Sequence, residues 1–209
     1  TLDEHGLNNQ PFVERSTQGL LPGTDELAYS ETSETSGGAE LIGAEATAYR
    51  GLVARLNFLA QDRIDIRYAT KEAAKWMAKP RSGHWAILKR IGRYLKEHPR
   101  VVQRFEWQEI HESLQTYVDS DWAGCKASCR STSGGVSCLG KHTIMGWSTT
   151  QGVVALSSGE AELYAMVKGA ANTTGLISLA ADFGLIVEGK IHCDASAAIG
   201  IVNRTGVGK

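Results

Sequence analysis

From Leu114 onward the chain changes period in an order that few folds accept. Residues 114–118 (LQTYV) alternate and predict a strand. Gly134–Leu139 and Thr143–Trp147 predict two more, joined at Gly140-Lys141 as an antiparallel meander. After Val153–Leu156, the run Ser157-Ser158-Gly159-Glu160 sets a serine three residues before a glutamate, the capping-box pattern that opens a helix. That helix is predicted to run from about Gly159 to Ala181, with Gly184 closing it. Residues 186–193 (IVEGKIHC) contain a fourth strand, and Ala195–Asn203 a last helix. The order β-β-β-α-β-α predicts a mixed sheet with helices packed on it, an α/β fold.

The preceding residues have helical spacing instead. In 44–60 the apolar positions Tyr49, Leu52, Val53, Leu56, Leu59 and Ala60 recur every three or four residues. A second helix is predicted over Ile66–Ala78, ending before Pro80. A third runs from Gly83 to Glu97 with Ser82 as its cap and Trp85, Leu88, Ile91, Tyr94 and Leu95 on one face. Residues 1–43 lack a sustained period, and Ser30–Gly38 (SETSETSGG) has little to bury. The organisation read from sequence is thus an acidic, disordered segment (1–43), a helical segment (44–110) and an α/β domain (111–209).

Composition narrows the classes. Hydrophobic residues make up 42% of the chain, but no run approaches the roughly 18 apolar residues of a membrane span. Thr1–Gln10 is polar and unlike a signal peptide, so an intracellular location, cytoplasmic or nuclear, is expected. The lack of an initiator Met suggests a piece of something longer. Cys125, Cys129, Cys138 and Cys193 are too few for a disulfide scaffold and read as reduced thiols rather than zinc ligands. The net charge of −1 hides a split. Residues 1–48 carry nine acids against Arg15, whereas residues 71–104 carry ten bases against Glu72 and Glu97. Such asymmetry points to a nucleic-acid partner; a solvated helix face is the plainer alternative.

Three carboxylates fall at telling places. Asp119 follows the first strand, Glu162 lies in the first turns of the long helix, and Asp194 follows the fourth strand. Carboxylates converging from strand ends and a facing helix can hold a hard cation such as Mg²⁺ or do acid–base work. Strand-end aspartates also serve as plain turn and cap formers, and spacing alone leaves both readings open.

The local wording adds to this. Tyr117-Val118-Asp119-Ser120-Asp121-Trp122-Ala123-Gly124, Arg130-Ser131-Thr132-Ser133-Gly134-Gly135, Ile144-Met145-Gly146-Trp147-Ser148, Val154 to Ala165 (VALSSGEAELYA), and Cys193-Asp194 leading into Ser196-Ala197-Ala198 resemble, in that order, the ribonuclease H region of copia-type LTR retrotransposon polyproteins. Tyr49-Arg50, Leu59 to Arg63, Asp65-Ile66, His84-Trp85, Leu88-Lys89-Arg90 and Arg93-Tyr94-Leu95 resemble the segment joining reverse transcriptase to ribonuclease H. The resemblance spans about residues 45–209.

It implies a ribonuclease H-like fold and Mg²⁺-dependent, or Mn²⁺-dependent, hydrolysis of the RNA strand of RNA–DNA hybrids. It makes Asp119 the first metal-binding aspartate, Glu162 the helix glutamate and Asp194 the third carboxylate, with Asp121 and Glu160 as rivals. Arg130, Ser131, Lys89, Arg90 and Arg93 are the candidate nucleic-acid contacts. Trp122 and Trp147 are expected to pack on the sheet, and His192 to be a partly buried strand histidine. The partners implied are the hybrid and the rest of the polyprotein, with no membrane. The family's fourth carboxylate has no counterpart before Lys209, and Ala195-Ser196 stands where many members carry an amide pair. The alternative is therefore a truncated, catalytically inactive retroelement remnant that at most binds nucleic acid. DNA strand transfer on the same fold is a third reading, which the wording around Glu162 disfavours.

Overall fold

The structure, a computed structural model, describes residues 37–109 and 112–204. Most of the segment read as disordered therefore lies outside the described residues.

The helical segment folds as three helices: α1 (Gly43–Leu59), α2 (Arg67–Ala74) and α3 (Trp85–Glu97), with short 3₁₀ turns at Ile64–Ile66 and Ser82–His84. Their apolar stripes meet in a core of Leu41, Ala46, Tyr49, Val53, Ala73, Ile87, Leu88 and Ile91. The Tyr49 hydroxyl donates to the Ala73 carbonyl at 2.9 Å, so the one polar atom of that buried ring is satisfied. α2 ends at Ala74 rather than Ala78. The carbonyls of Met77 and Ala78 turn instead to the guanidinium of Arg50 on α1, at 2.8 and 3.3 Å, a long-range bond that local pattern does not reveal. Ser82 does not cap α3. Its N–H is taken by Ala39 O, and the Arg81 N–H donates to His84 Nδ1 at 2.9 Å. Gly38, at φ +107°, makes this approach possible, because a Cβ there would lie 2.1 Å from Ser82 Oγ.

The second unit matches the predicted order. β1 (Ser113–Cys125), β2 (Arg130–Leu139) and β3 (His142–Thr150) form the meander, α4 (Ser158–Asp182) crosses over, and β4 (Glu188–His192) and α5 (Ser196–Val202) follow. The sheet order is β3-β2-β1-β4, with β4 parallel to β1 and the other pairs antiparallel. This mixed sheet with flanking helices is the ribonuclease H-like α/β layout. β1 continues seven residues beyond Val118 to Cys125 because its backbone ladder with β2 runs on through Asp119↔Gly134 and Asp121↔Thr132, whatever the side-chain pattern.

α4 sits unusually close to β1. A Cβ on Gly169 would be 2.5 Å from Val118 Cγ1, and Ala161 and Ala165 are fully buried at the same contact. A buried hydroxyl chain joins the layers: Thr116 Oγ1 lies 2.9 Å from Ser137 Oγ and 2.7 Å from Thr173 Oγ1, and Thr173 donates to Gly169 O. Ser157 caps the helix by accepting from the Glu160 N–H, and Glu160 accepts from the Leu156 N–H. At the other end Gly184 is left-handed (φ +75°), Leu185 N–H returns to Ala180 O and Gly184 N–H to Ala181 O, a Schellman closure. The helical segment packs against the β2–β3 side: Lys71 Nζ donates to Thr132 Oγ1 at 2.8 Å, and Ile64 lies over Gly146. Among the described residues no helix is long and apolar enough to cross a membrane.

Candidate carboxylate centre

The capping of α4 fixes where its first turns point. Glu162, five residues past the cap, turns inward and is only 8% exposed. Its Oε1 accepts from both the backbone N–H and the hydroxyl of Ser120, at 3.1 and 3.0 Å. Ser120 is on the same face of β1 as Thr116 and Val118, which contact α4. The other carboxylate oxygen, Oε2, faces the end of β4, where the Cys193 thiol lies 3.6 Å away. Ligand atoms of Glu162, Cys193 and Asp194 all lie within 4.8 Å of one another. Asp194 is exposed, so the group opens to solvent on one side.

Burial pushes the Glu162 carboxyl above the ordinary carboxylate range; the charges of Asp119 and Asp194 push it further, while the Ser120 bonds oppose the rise. Burial, followed by the charges of Glu162 and Asp194, likewise raises the Cys193 thiol. Two of the three expected carboxylates are therefore brought together. Asp119 acts on Glu162 through its charge but does not join the close group. Strand alternation places it opposite Ser120, and among the described residues no hydrogen bond or ion pair engages its carboxylate. The third close member is Cys193, which sequence reasoning passed over as an ordinary reduced thiol. The only signal was its place directly before Asp194.

Both rivals have structural work. Asp121 accepts from the Thr132 N–H at the point where the β1–β2 register shifts, and burial raises its carboxyl. Glu160 completes the helix cap.

The chain is similar to two transposon polyproteins of Arabidopsis thaliana. It is 33% identical over 155 residues to the retrovirus-related Pol polyprotein from transposon RE2, covering 72% of this chain and 10% of that protein. It is 35% identical over 175 residues to its counterpart from transposon RE1, covering 83% of this chain and 12% of that one. The chain belongs to the retrovirus-related transposon Pol polyproteins. It spans about a tenth of the length of these two relatives. An uncharacterized mitochondrial protein of the same plant, AtMg00810, is 35% identical over 130 residues, 60% of this chain and 52% of that protein. No family model and no solved structure matches the chain.

The remaining candidate residues of this Pol chain divide cleanly. Lys89, Arg90 and Arg93 are exposed on α3, opposite the buried Ile87, Leu88 and Ile91. Arg130 is exposed at the start of β2. Ser131 is not available to a phosphate: its side chain is fully buried, and its hydroxyl accepts from the Ala123 N–H at 3.0 Å. Trp147 packs on the sheet as expected, over Gly135, where a Cβ would meet its ring at 2.2 Å. Trp122 does not; it is 55% exposed. His192 is exposed rather than partly buried, stacked on Tyr117 with centroids 4.6 Å apart.

Proposed function

We propose that this Pol chain is a ribonuclease H segment that hydrolyses the RNA strand of RNA–DNA hybrids with Mg²⁺, or Mn²⁺ in its place. The observation that carries the reading is the convergence of Glu162 and Asp194 at the junction of α4 and β4, with the Asp119 charge acting on the same point. Two carboxylates this close repel, and the raised Glu162 carboxyl registers that repulsion on top of its burial. A divalent cation relieves it, and the oxygen donors suit a hard one, so the residues fit. Glu162 and Asp194 would hold the ion, with Asp119 as the third carboxylate. Bound there, it supplies positive charge where negative charge develops on the phosphate during hydrolysis.

The chain's own residues do the positioning. Ser120 fixes Glu162 by two bonds to Oε1 and leaves Oε2 to the Cys193 thiol at the end of β4. Lys89, Arg90, Arg93 and Arg130 are free to meet backbone phosphates, contacts that set register without reading sequence. Recognition of the RNA strand then rests on its 2′-hydroxyls. The position of Asp119 outside the close group favours a second reading, an inactive remnant that binds nucleic acid without cutting it.

A substrate panel separates the two. The purified chain in Mg²⁺ is given an RNA–DNA hybrid, single-stranded RNA and duplex DNA of one sequence. The first reading expects cuts in the RNA of the hybrid alone, abolished by a chelator. Salt-sensitive binding without cleavage supports the second, and DNA cutting or joining contradicts both.

A further inference from the structure

Trp122 stands out among the residues near the carboxylates. Its indole is 55% exposed, yet its Nε1–H is tied to the Ala155 carbonyl at 3.1 Å. Ala155 is itself buried and lies two residues before Ser157, the cap of α4. Trp122 lies two residues beyond Ser120 on β1, and alternation sets it on the same face, next in line after the residue that holds Glu162. The ring is thus bridged between the strand and the loop that together frame Glu162, with one end held and much of its surface in solvent. A tryptophan needed only for packing buries its ring, as Trp147 does over Gly135. Beyond it the same loop exposes Val154 and Leu156, the latter 85% exposed. On the adjoining strand the exposed Arg130 pairs in register with Cys125.

A ring held at one end, on the strand that also carries the Glu162 contact and pairs with Arg130 further along, suits a ligand that presents flat apolar surface and phosphate together. We propose that Trp122 is a substrate-contacting residue of this centre, its exposed indole face packing against a nucleotide of the RNA–DNA hybrid next to the phosphate that a cation at Glu162 and Asp194 would meet. The inference rests on the ribonuclease H reading and adds to it a residue that determines affinity. In a duplex hybrid the base faces are stacked on one another, so the indole would meet the sugar face in the groove, which is the same whatever the base.

The test compares wild type, Trp122→Ala and Trp122→Phe in the full chain, by hybrid affinity, steady-state cleavage and thermal unfolding. Trp122→Ala is expected to weaken hybrid binding about tenfold, with the loss carried in KM. Trp122→Phe keeps an aromatic face but cannot donate to Ala155, and is expected to retain affinity within about threefold of wild type. Should the alanine variant not fold, the phenylalanine variant still decides: hybrid binding is expected to quench wild-type tryptophan fluorescence, and the part of that quenching due to Trp122 is expected to be missing from Trp122→Phe. Wild-type affinity in Trp122→Ala, or equal quenching in wild type and Trp122→Phe, overturns the proposal. So does a parallel loss of affinity and melting temperature in both variants, which would make the indole only an anchor for the α4 loop. A wild-type chain that neither binds nor cleaves the hybrid fails at an earlier step and overturns the ribonuclease H reading itself.

Discussion

Replacing Gly169 by alanine sets two opposing effects against each other inside one helix. In an exposed helix interior, glycine to alanine gains about 1 kcal/mol from backbone entropy. At Gly169 the new Cβ would sit 2.5 Å from Val118 Cγ1, whereas carbon atoms in good contact are about 3.5–4.0 Å apart. Val118 cannot retreat, because it is buried on a strand flanked by β2 on one side and β4 on the other. Overpacking of this kind costs about 1–3 kcal/mol. The clash outweighs the propensity gain, so a net loss of roughly 1 kcal/mol and a melting temperature about 2–4 °C lower are expected. Gly175, on the same helix, has no neighbouring atom within 4 Å of an added Cβ. Gly175→Ala is therefore expected to stabilise by about 0.5–1 kcal/mol. Thermal unfolding followed by circular dichroism measures both. Adding Val118→Ala to Gly169→Ala makes room for the methyl, and the pair is expected to lose less than the sum of its parts. Stabilisation by Gly169→Ala, or an equal loss from Gly175→Ala, would refute the close approach of α4 to β1.

Other consequences follow from single contacts. Thr116→Val removes the hydroxyl between Ser137 and Thr173 and leaves Ser137 buried without a partner; a loss of about 1–3 kcal/mol is expected in urea unfolding. Glu162 carries a pH signature. Chiefly because of burial, the folded chain holds its proton more tightly than the unfolded chain does. Stability from this group is thus fullest below the ordinary carboxylate pKa of about 4.3, falls as pH rises toward the raised value, and stays reduced above it. Without divalent cations, Glu162→Gln is expected to melt above wild type at neutral pH, with the gap closing as the pH approaches 4; a gap that widens on acidification would contradict this. Replacing Lys89, Arg90 and Arg93 together by alanine is expected to flatten the log–log salt dependence of hybrid binding by roughly 2–3, and an unchanged slope would remove α3 from the interface.

The element order was legible in the sequence because hydrophobic period, turn residues and caps agreed along residues 114–203. Ser157, Glu160 and Gly184 are local devices, and they act in the fold as their spacing says. What escaped depended on distant partners. The polar half of β1, from Asp119 to Cys125, is a strand because β2 pairs with it, not because its side chains alternate. Beyond α2, the Met77 and Ala78 carbonyls turn to Arg50 instead of continuing the helix. Ser131 sits in a strand-rich motif with an arginine beside it, which suggests a phosphate contact, but the register shift near Asp121 turns its hydroxyl inward to Ala123. At the centre, the fold brings Glu162 and Asp194 together, from the first turns of α4 and the residue after β4 that the sequence singled out. The sequence did not foresee that the parallel register of β4, with His192 opposite Tyr117, brings Cys193 to Glu162, while Asp119 stays outside the close group.

The proposed cation-dependent nuclease rests on the carboxylates at the α4–β4 junction. The most direct measurement is cleavage of end-labelled RNA in an RNA–DNA hybrid by wild type, Asp119→Asn, Glu162→Gln and Asp194→Asn, each confirmed folded, in Mg²⁺ and in Mn²⁺. Cleavage by wild type and its loss in all three variants are expected. Cleavage that survives Glu162→Gln or Asp194→Asn, or a folded wild type that binds the hybrid and leaves it intact, would contradict the nuclease reading.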